Sequence, residues 1–291
     1  MKVSIITDEV SADFETALEL AQGWGMDAVE IRGIGEQRYP MLPKFLLDRI
    51  PELAEESKLK VSAISPGLFK IPFPVPARKE TRILRWEDAM MHDRYTKGEE
   101  LVRYHLEEML PASIKAAKQL GAEIIICFSF DRGHEVEAGS PVPQGVIDVL
   151  KDAALMVEQA GLTLAVEVEH ICWGDNGERT AKIVEKVGSS SIGINWDPAN
   201  AYRSGEERPY PDGYQWIRNH LRHVHFKDAK TDPLTGERGF VFDGVVDWQG
   251  QISALVRDGY KGYISVEPHV RPKLAMAQLS IERLRKLLEE A

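Results

Sequence analysis

The chain has 291 residues, enough for one large domain, with 43% hydrophobic and 28% charged residues, as in an ordinary globular protein. Its formal charge of −10 and isoelectric point near 5.4 argue against binding to a nucleic-acid backbone. Two cysteines cannot form a disulfide framework, and neither a signal peptide nor a membrane-spanning apolar run is evident. We therefore expect a cytoplasmic protein that binds neither nucleic acid nor membrane.

Short apolar runs alternate with amphipathic patterns along the whole chain. The apolar runs predict eight strands, at residues 3–7, 28–31, 60–64, 124–128, 162–168, 191–196, 223–226 and 263–266. The amphipathic patterns predict helices that follow these strands, at residues 13–24, 43–58, 99–120, 144–160, 178–187, 214–219, 248–258 and 274–290. In the second helix, Phe45, Leu46, Ile50 and Leu53 are expected to face inward.

Eight strand–helix units without a break in composition predict a single-domain (β/α)8 TIM barrel, an α/β fold that covers residues 1–291. No Gly-x-Gly-x-x-Gly turn follows the first strand, which disfavours an open dinucleotide-binding sheet. After the third strand, a proline-rich stretch begins an excursion at about residues 66–98 that is too long for an ordinary connection. Its apolar side chains are expected to cover the pocket or to pack on a second subunit of a homo-oligomer: Leu68, Phe69, Ile71, Phe73 and Val75.

Acidic residues and a histidine stand where four consecutive strands end: Glu167, Asp197, His225 and Glu267. In a parallel barrel, the carboxyl ends of the strands open on one face, where the chemistry takes place. Three carboxylates crowded without a counter-charge would be costly to desolvate, and a divalent cation removes that cost. With one imidazole and no thiolate, the set favours Mn²⁺, Mg²⁺ or Co²⁺, with Zn²⁺ as a further candidate.

Alternation along a strand leaves two choices open. Glu167 and Glu169 share one face of the fifth strand, so either could be the ligand. His223 and His225 share a face of the seventh strand for the same reason. Taken singly, each acidic residue could equally be a helix cap or a surface group, and only their recurrence at four strand ends indicates a site.

Longer motifs surround these residues: TDEVS at 7–11, AVEIR at 28–32, LAVE at 164–167, GINWDPANAY at 193–202, HVHFKD at 223–228 and GYKGYISVEPH at 259–269. Together they resemble the xylose isomerase-like TIM barrel superfamily, specifically its sugar phosphate isomerase/epimerase branch, over nearly the whole chain. The resemblance implies a metal-dependent isomerase or epimerase of a small sugar or polyol-carbonyl compound, which acts through an enediolate. It implies one divalent ion held by Glu167, Asp197, His225 and Glu267, of which the two glutamates also move the proton.

Departures from the epimerase pattern limit what the resemblance implies about the substrate. Asn200 stands where those epimerases place a substrate-binding histidine, and Thr231 stands near the place of a substrate-contacting arginine. The superfamily also includes inosose dehydratases, hydroxypyruvate isomerases and endonuclease IV-like enzymes, so the fold and the metal do not fix the reaction. The alternative is therefore a metal-dependent lyase that dehydrates an inosose or a keto sugar.

Other residues near strand ends are candidates for contact with a small carbohydrate substrate: Glu30, His134, Trp173, Asn200, Lys227 and His269. Trp173 could stack on a sugar face, and Lys227 could bind a substrate oxyanion. Plainer alternatives are ordinary packing for Trp173, a buried ion pair for Lys227 and a solvated loop position for His134.

Overall fold

A closed barrel of eight parallel strands forms the centre of the protein, in a computed structural model that describes residues 1–74, 98–133 and 136–291. Each strand pairs with the next along the chain, and the eighth pairs with the first. The strands are β1 (Lys2–Ile6), β2 (Ala28–Ile31), β3 (Lys60–Leu68), β4 (Ile124–Cys127), β5 (Thr163–Glu167), β6 (Ile192–Trp196), β7 (Leu221–Phe226) and β8 (Tyr263–Val266). The predicted single-domain TIM barrel is thereby confirmed.

Helices surround the barrel, and the longer ones bury an apolar face. They span Thr7–Val10, Phe14–Gly23, Lys44–Leu47, Ile50–Ser57, Gly98–Tyr104, Leu110–Leu120, Gln144–Gln159, Gly177–Val187, Pro198–Arg203, Tyr214–Ile217, Trp248–Arg257 and Lys273–Glu289, with π-helical turns at His105–Met109 and Pro209–Gly213. Helix Gln144–Gln159 is typical, because Val146, Ile147 and Leu150 recur at helical spacing and are buried. Among the described residues, no helix is both long and apolar enough to cross a membrane.

Short antiparallel hairpins, which were not predicted, follow β2 and β7 at the carboxyl face. The first pairs Gly33–Ile34 with Gln37–Arg38, and the second pairs Asp228–Thr231 with Arg238–Val241. We call the second one the β7 hairpin. Helix Pro198–Arg203 was also missed, because the proline after Asp197 was taken to end a strand when it also begins a helix, where its missing N–H costs nothing.

The helix predicted at residues 43–58 is two helices, Lys44–Leu47 and Ile50–Ser57. The break between them changes which side chains face the core. Ile50 is buried, but Phe45 is 71% exposed and Leu46 is 37% exposed, so the expectation that both face inward was wrong. A single helical phase cannot be extended across a break, and the sequence pattern showed no strong sign of one.

Strand β3 continues four residues beyond its predicted end at Ile64. Ile64 pairs with Ile125 of β4, and Leu68 pairs with Cys127. Strand β3 therefore advances four residues while β4 advances two, which means that β3 bulges between Ile64 and Leu68. Leu68, Phe69 and Ile71 are buried in the core of the chain itself, so they are not available to a second subunit. Residues 75–97, which include Val75 and most of the long excursion, lie outside the described residues.

We expect Gly193→Ala to destabilise the barrel by about 2 kcal/mol, the usual scale for an overpacked site. A Cβ added at Gly193 of β6 would lie 2.4 Å from Arg222 Cγ and 2.5 Å from the carbonyl oxygen of His220, at the start of β7. Urea unfolding followed by circular dichroism measures the change. Gly239→Ala is the control, since nothing lies within 4 Å of an added Cβ there. Equal midpoints for both variants would contradict the close approach.

Candidate metal centre

A cavity of about 750 Å³ opens at the carboxyl ends of the strands, where catalytic groups of a TIM barrel are expected. Its lining includes several residues that the sequence singled out: Glu167, Asn200, Lys227, Glu267 and His269. The lining is dominated by charged and polar side chains, with Phe128 and Phe240 among the few aromatic ones. The cavity therefore suits a small polar ligand.

Four predicted ligands converge at the floor of this cavity. One ligand atom from each of Glu167, Asp197, His225 and Glu267 can be chosen so that all lie within 4.8 Å of one another. Nδ1 of His225 is 3.7 Å from Glu167 Oε1, 3.9 Å from Asp197 Oδ2 and 3.1 Å from Glu267 Oε2. All four side chains are buried. This cluster of three carboxylates and one imidazole could hold a metal ion.

The environment of His225 fits a metal ligand. Its Nδ1 is buried, faces the carboxylates and makes no hydrogen bond with the residues that the structure describes. Its Nε2 lies 3.1 Å from Glu30 Oε1, an arrangement that fixes the ring and leaves Nδ1 as the coordinating atom. Burial alone would raise the pKa of Glu30, but His225 and His223 hold it below its usual value, so Glu30 stays an acceptor.

Glu30 thus lies beneath the cavity and not on its wall. Its second contact is to His223, whose Nε2 is 2.9 Å from Glu30 Oε2 and 3.0 Å from Ser265 Oγ. The two histidines of β7, which the sequence could not tell apart, therefore have different places. His223 belongs to the buried support under the site, and only His225 reaches the three carboxylates.

Asp197 is fixed by the start of a helix. It is the N-cap of Pro198–Arg203, and its Oδ1 accepts a hydrogen bond from the backbone N–H of Asn200 at 2.8 Å. Its Oδ2 accepts from Asn200 Nδ2 at 3.0 Å and lies 2.7 Å from Lys227 Nζ. Burial raises the pKa of Asp197 to about 6; Lys227 opposes this rise, and Glu267 and Glu167 add to it.

Glu267 is surrounded by cationic groups. Its Oε2 lies 2.6 Å from Lys227 Nζ, and its Oε1 accepts from Arg32 and lies 3.1 Å from His269 Nε2. Burial opposes ionisation, but Lys227, His269 and His225 hold the pKa of Glu267 well below its usual value. The ring of Phe240, on the β7 hairpin, covers Lys227 at 4.7 Å and lies 5.2 Å from the ring of His269.

The structure separates Glu169 from the cluster that contains Glu167. Glu169 forms an ion pair with Lys70, and its Oε1 lies 2.5 Å from His170 Nδ1. Trp173 packs in the hydrophobic core with 5% of its surface exposed, so it does not stand at the cavity wall. His134 lies outside the described residues.

The sequence analysis assigned no role to the carboxylates that follow β1. Arg32 is hydrogen-bonded to Asp8 through Nε at 3.0 Å and to Glu9 through Nη2 at 2.6 Å. Glu9 in turn lies 2.8 Å from Nδ1 of His269. Asp8 and Glu9 also stand at the carboxyl end of a strand, so the reasoning used for β5 to β8 would have found them. Lys70 had no such signal, because it follows a bulge that the sequence pattern did not show.

Comparison with known families identifies the fold at the level of sequence. The family model described as the xylose isomerase-like TIM barrel matches residues 18–287. The chain belongs to this family. No curated protein matches the chain.

Solved structures with the same fold resemble the chain over nearly its full length. An L-ribulose 3-epimerase is 17% identical, with a TM-score of 0.71 over 99% of this chain and 95% of that one. The IOLI protein with a bound zinc atom is 20% identical, with a TM-score of 0.70 over 100% and 97%. The probable 3-DHS dehydratase AsbF from Bacillus anthracis is 17% identical, with a TM-score of 0.67 over 98% and 99%. At these identities the likeness shows a shared fold.

If the four residues bind a metal, the purified protein will carry about one divalent ion per chain. Asp197→Ala and His225→Ala should each lose this ion, because removal of one of four ligands strongly lowers the metal affinity. Elemental analysis after dialysis measures the occupancy. The control is Asp247→Ala, which also removes an N-cap aspartate, one that accepts from Gly250 N at 2.8 Å in helix Trp248–Arg257. Full occupancy in both cluster variants would rule out this assignment.

Proposed function

We propose that this barrel is a divalent-metal-dependent isomerase or epimerase that acts on a small sugar or polyol-carbonyl compound through an enediolate. The observation that carries the proposal is the convergence of Glu167, Asp197, His225 and Glu267, with the hydrogen-bonding capacity of His225 Nδ1 unused among the described residues. Buried carboxylates at this density require positive charge nearby, and Lys227 supplies only part of it. Mn²⁺, Mg²⁺ and Co²⁺ suit this ligand set, and the zinc in the IOLI structure keeps Zn²⁺ among the candidates.

A divalent ion bound here would act as a Lewis acid toward a carbonyl and an adjacent hydroxyl group of the substrate. The protein side chains would hold and move the protons. One carboxylate removes the carbon-bound proton, and a proton is returned from the opposite face or to the neighbouring carbon. Both candidate glutamates line the cavity, on β5 and at the end of β8, so they can reach the substrate from different sides.

The two glutamates differ in their surroundings, and this difference indicates which of them removes the carbon-bound proton. Glu267 has cationic groups at both oxygens, from Lys227 on one side and Arg32 on the other, which makes it a weak base in its own right. Among the described residues, Glu167 accepts hydrogen bonds from two amide donors at a longer distance, Asn195 Nδ2 and Asn200 Nδ2, each at 3.4 Å, and His225 Nδ1 lies 3.7 Å from its Oε1. We therefore assign the first proton removal to Glu167. Glu167 can then return that proton to the neighbouring carbon. For delivery to the opposite face, Glu267 would pass on a proton taken from His269, whose Nε2 lies 3.1 Å from Glu267 Oε1, and the proton on Glu167 would leave to solvent.

A lyase is the second candidate. The same enediolate can expel a hydroxyl group from the next carbon as water, and the structural relatives include a probable 3-DHS dehydratase as well as an epimerase. His269 lies at the cavity beside Glu267 and could stand close to such a leaving group. Incubation of the metal-loaded protein with ketoses, inososes and 3-keto sugars in heavy water separates the two reactions. Deuterium uptake without loss of water means isomerase or epimerase, and loss of water means lyase.

We expect Glu167→Gln and Glu267→Gln to lower turnover by about a hundredfold or more at saturating metal, the scale of a lost acid–base group. Glutamine keeps the shape and one ligating oxygen, so metal affinity should fall only modestly. Exchange of the substrate proton with heavy water, followed by NMR, should stop in Glu167→Gln and persist in part in Glu267→Gln. Glu169→Gln is the comparison variant, measured at saturating substrate, because Glu169 lies two residues after Glu167 and outside the ligand cluster. Exchange that survives in Glu167→Gln and stops in Glu169→Gln would reverse the choice between these neighbours.

Metal affinity should rise with pH through about pH 6 and continue to rise above it, because each metal ligand must first lose its proton. Burial and the neighbouring carboxylates raise the pKa of Asp197 to about 6. Burial alone would lower the pKa of His225, but Glu30, Glu167 and Glu267 raise it well above its usual value. Both groups therefore hold protons at low pH that a cation must displace. Calorimetric titration in buffers of different ionisation enthalpy measures affinity and proton release together. Affinity that is constant between about pH 5 and pH 8 would contradict this account.

A further inference from the structure

A second charged cluster faces the same cavity beyond the proposed metal ligands. We call Lys70, Glu169 and His170 the distal cluster. Lys70 and Glu169 form an ion pair, and the other oxygen of Glu169 lies 2.5 Å from His170 Nδ1. The exposed fractions of the three side chains are 15%, 5% and 20%, and all three line the cavity. The chemistry proposed above assigns none of them a task.

The ammonium group of Lys70 is held in place by its surroundings. Its Nζ lies 4.2 Å from the centre of the Phe128 ring. Phe69, the residue before it, has a left-handed backbone with φ of +62°, and its N–H donates to His105 Nδ1 at 2.8 Å. Burial lowers the pKa of His105 to about 3, so this histidine remains a neutral acceptor. A bulky residue in this conformation indicates a position that the surrounding structure enforces.

The distance between Glu167 and the distal cluster matches the length of a small sugar. Glu169 lies two residues after Glu167, the last residue of β5, and both side chains line the cavity. Two extended residues at about 3.3 Å each would separate the two carboxylates by roughly 7 Å. A pentose or hexose bound by its carbonyl end near Glu167 would therefore bring its other end to Lys70 and Glu169. The ring of Phe128 beneath Lys70 offers an apolar surface for the C–H groups between the two ends.

The charge of the distal cluster determines what it accepts. Glu169 already neutralises Lys70, and its side chain is buried, so its own charge is poorly screened. A phosphate or carboxylate placed beside Lys70 would be repelled by Glu169 at short range. A hydroxyl group can donate to Glu169 and accept from Lys70 without leaving any charge unpaired. We propose that the distal cluster is the subsite for the hydroxyl groups of an uncharged polyol chain, and that it selects such substrates over phosphorylated ones.

This inference rests on the proposed function, because it assumes that the substrate carbonyl lies at the metal ligands. The rival reading is an anion subsite at the rim, where Arg271 and Lys273 also line the cavity. Both are exposed, and Lys273 Nζ donates to the carbonyl oxygen of Asp8 at 2.9 Å. Exposed cations are well screened by solvent, and these two do not form a closed site. A rim subsite would favour the phosphorylated ligand, so binding measurements decide between the two.

The experiment compares two probes, ribitol and ribitol 5-phosphate, by calorimetric titration into the Mn²⁺-loaded protein. The native protein should bind ribitol at least about tenfold more tightly than its phosphate. Glu169→Gln leaves the charge of Lys70 without its partner, so the preference should shift by about tenfold toward the phosphate. Lys70→Met removes the cation that faces Glu169 Oε2, so the preference should shift further toward ribitol. A merely structural role of the pair would not move the ratio in opposite directions.

The matched control is the exposed pair Lys182 and Glu178, 2.6 Å apart on helix Gly177–Val187. Lys182→Met and Glu178→Gln should leave the ratio of affinities unchanged. Three results would overturn the subsite. The native protein could bind ribitol 5-phosphate more tightly than ribitol, the two distal variants could show the same affinity ratio as each other, or neither probe could bind. These binding measurements need no turnover, so they test the subsite independently of the proposed reaction. If the affinity ratios are as expected but no substrate shows deuterium exchange, the subsite stands and the proposed reaction is wrong. If exchange occurs but is faster with phosphorylated substrates, the proposed reaction stands and the subsite is wrong.

Discussion

The rest of this structure depends on the electrostatic balance of the carboxylates at the barrel mouth. Glu167, Asp197 and Glu267 are buried within a few ångströms of one another, an arrangement that is costly without nearby positive charge. The protein supplies part of that charge with Lys227, which contacts two of the three. A divalent ion would bring the three carboxylates and Lys227 to neutrality. The centre can therefore be both buried and ionised, as proton transfer in a site of this kind requires.

Charge is distributed unevenly around the mouth. Strands β5 to β8 end in the proposed metal ligands, whereas β2 and β3 lead to cations that are already paired. Arg32, after β2, holds Asp8, Glu9 and Glu267, and Lys70, after β3, holds Glu169. One half of the mouth thus offers carboxylate oxygens, and the other half offers ion pairs that can exchange hydrogen bonds with hydroxyl groups. This division would give a bound polyol a defined direction across the cavity.

The sequence was most informative where one strand carried its own signal. Apolar runs located all eight strands, and the polar residues at their ends indicated a site, because both signals are local in the chain. They left open the choices between Glu167 and Glu169 and between His223 and His225. It was least informative where a side chain's role depends on distant partners. Glu30 was taken for a substrate contact, yet its carboxylate supports two histidines almost two hundred positions away. Lys70 depends on the bulge in β3, and Phe45 on a helix break, and neither irregularity has a periodic pattern by which it could be found.

The β7 hairpin connects the end of a barrel strand with the wall of the cavity. Asp228 anchors its base through hydrogen bonds from Val246 N and Arg283 Nη2, each at 3.0 Å, while Phe240 on its second strand covers Lys227. The tip, at Leu234, is 93% exposed and remote from the barrel. One connection between a strand and a helix therefore forms part of the roof of the cavity and belongs to no barrel strand. Its two strands pair with each other and not with the barrel, so substitutions in it can reshape the space above the carboxylate cluster while the barrel keeps its register.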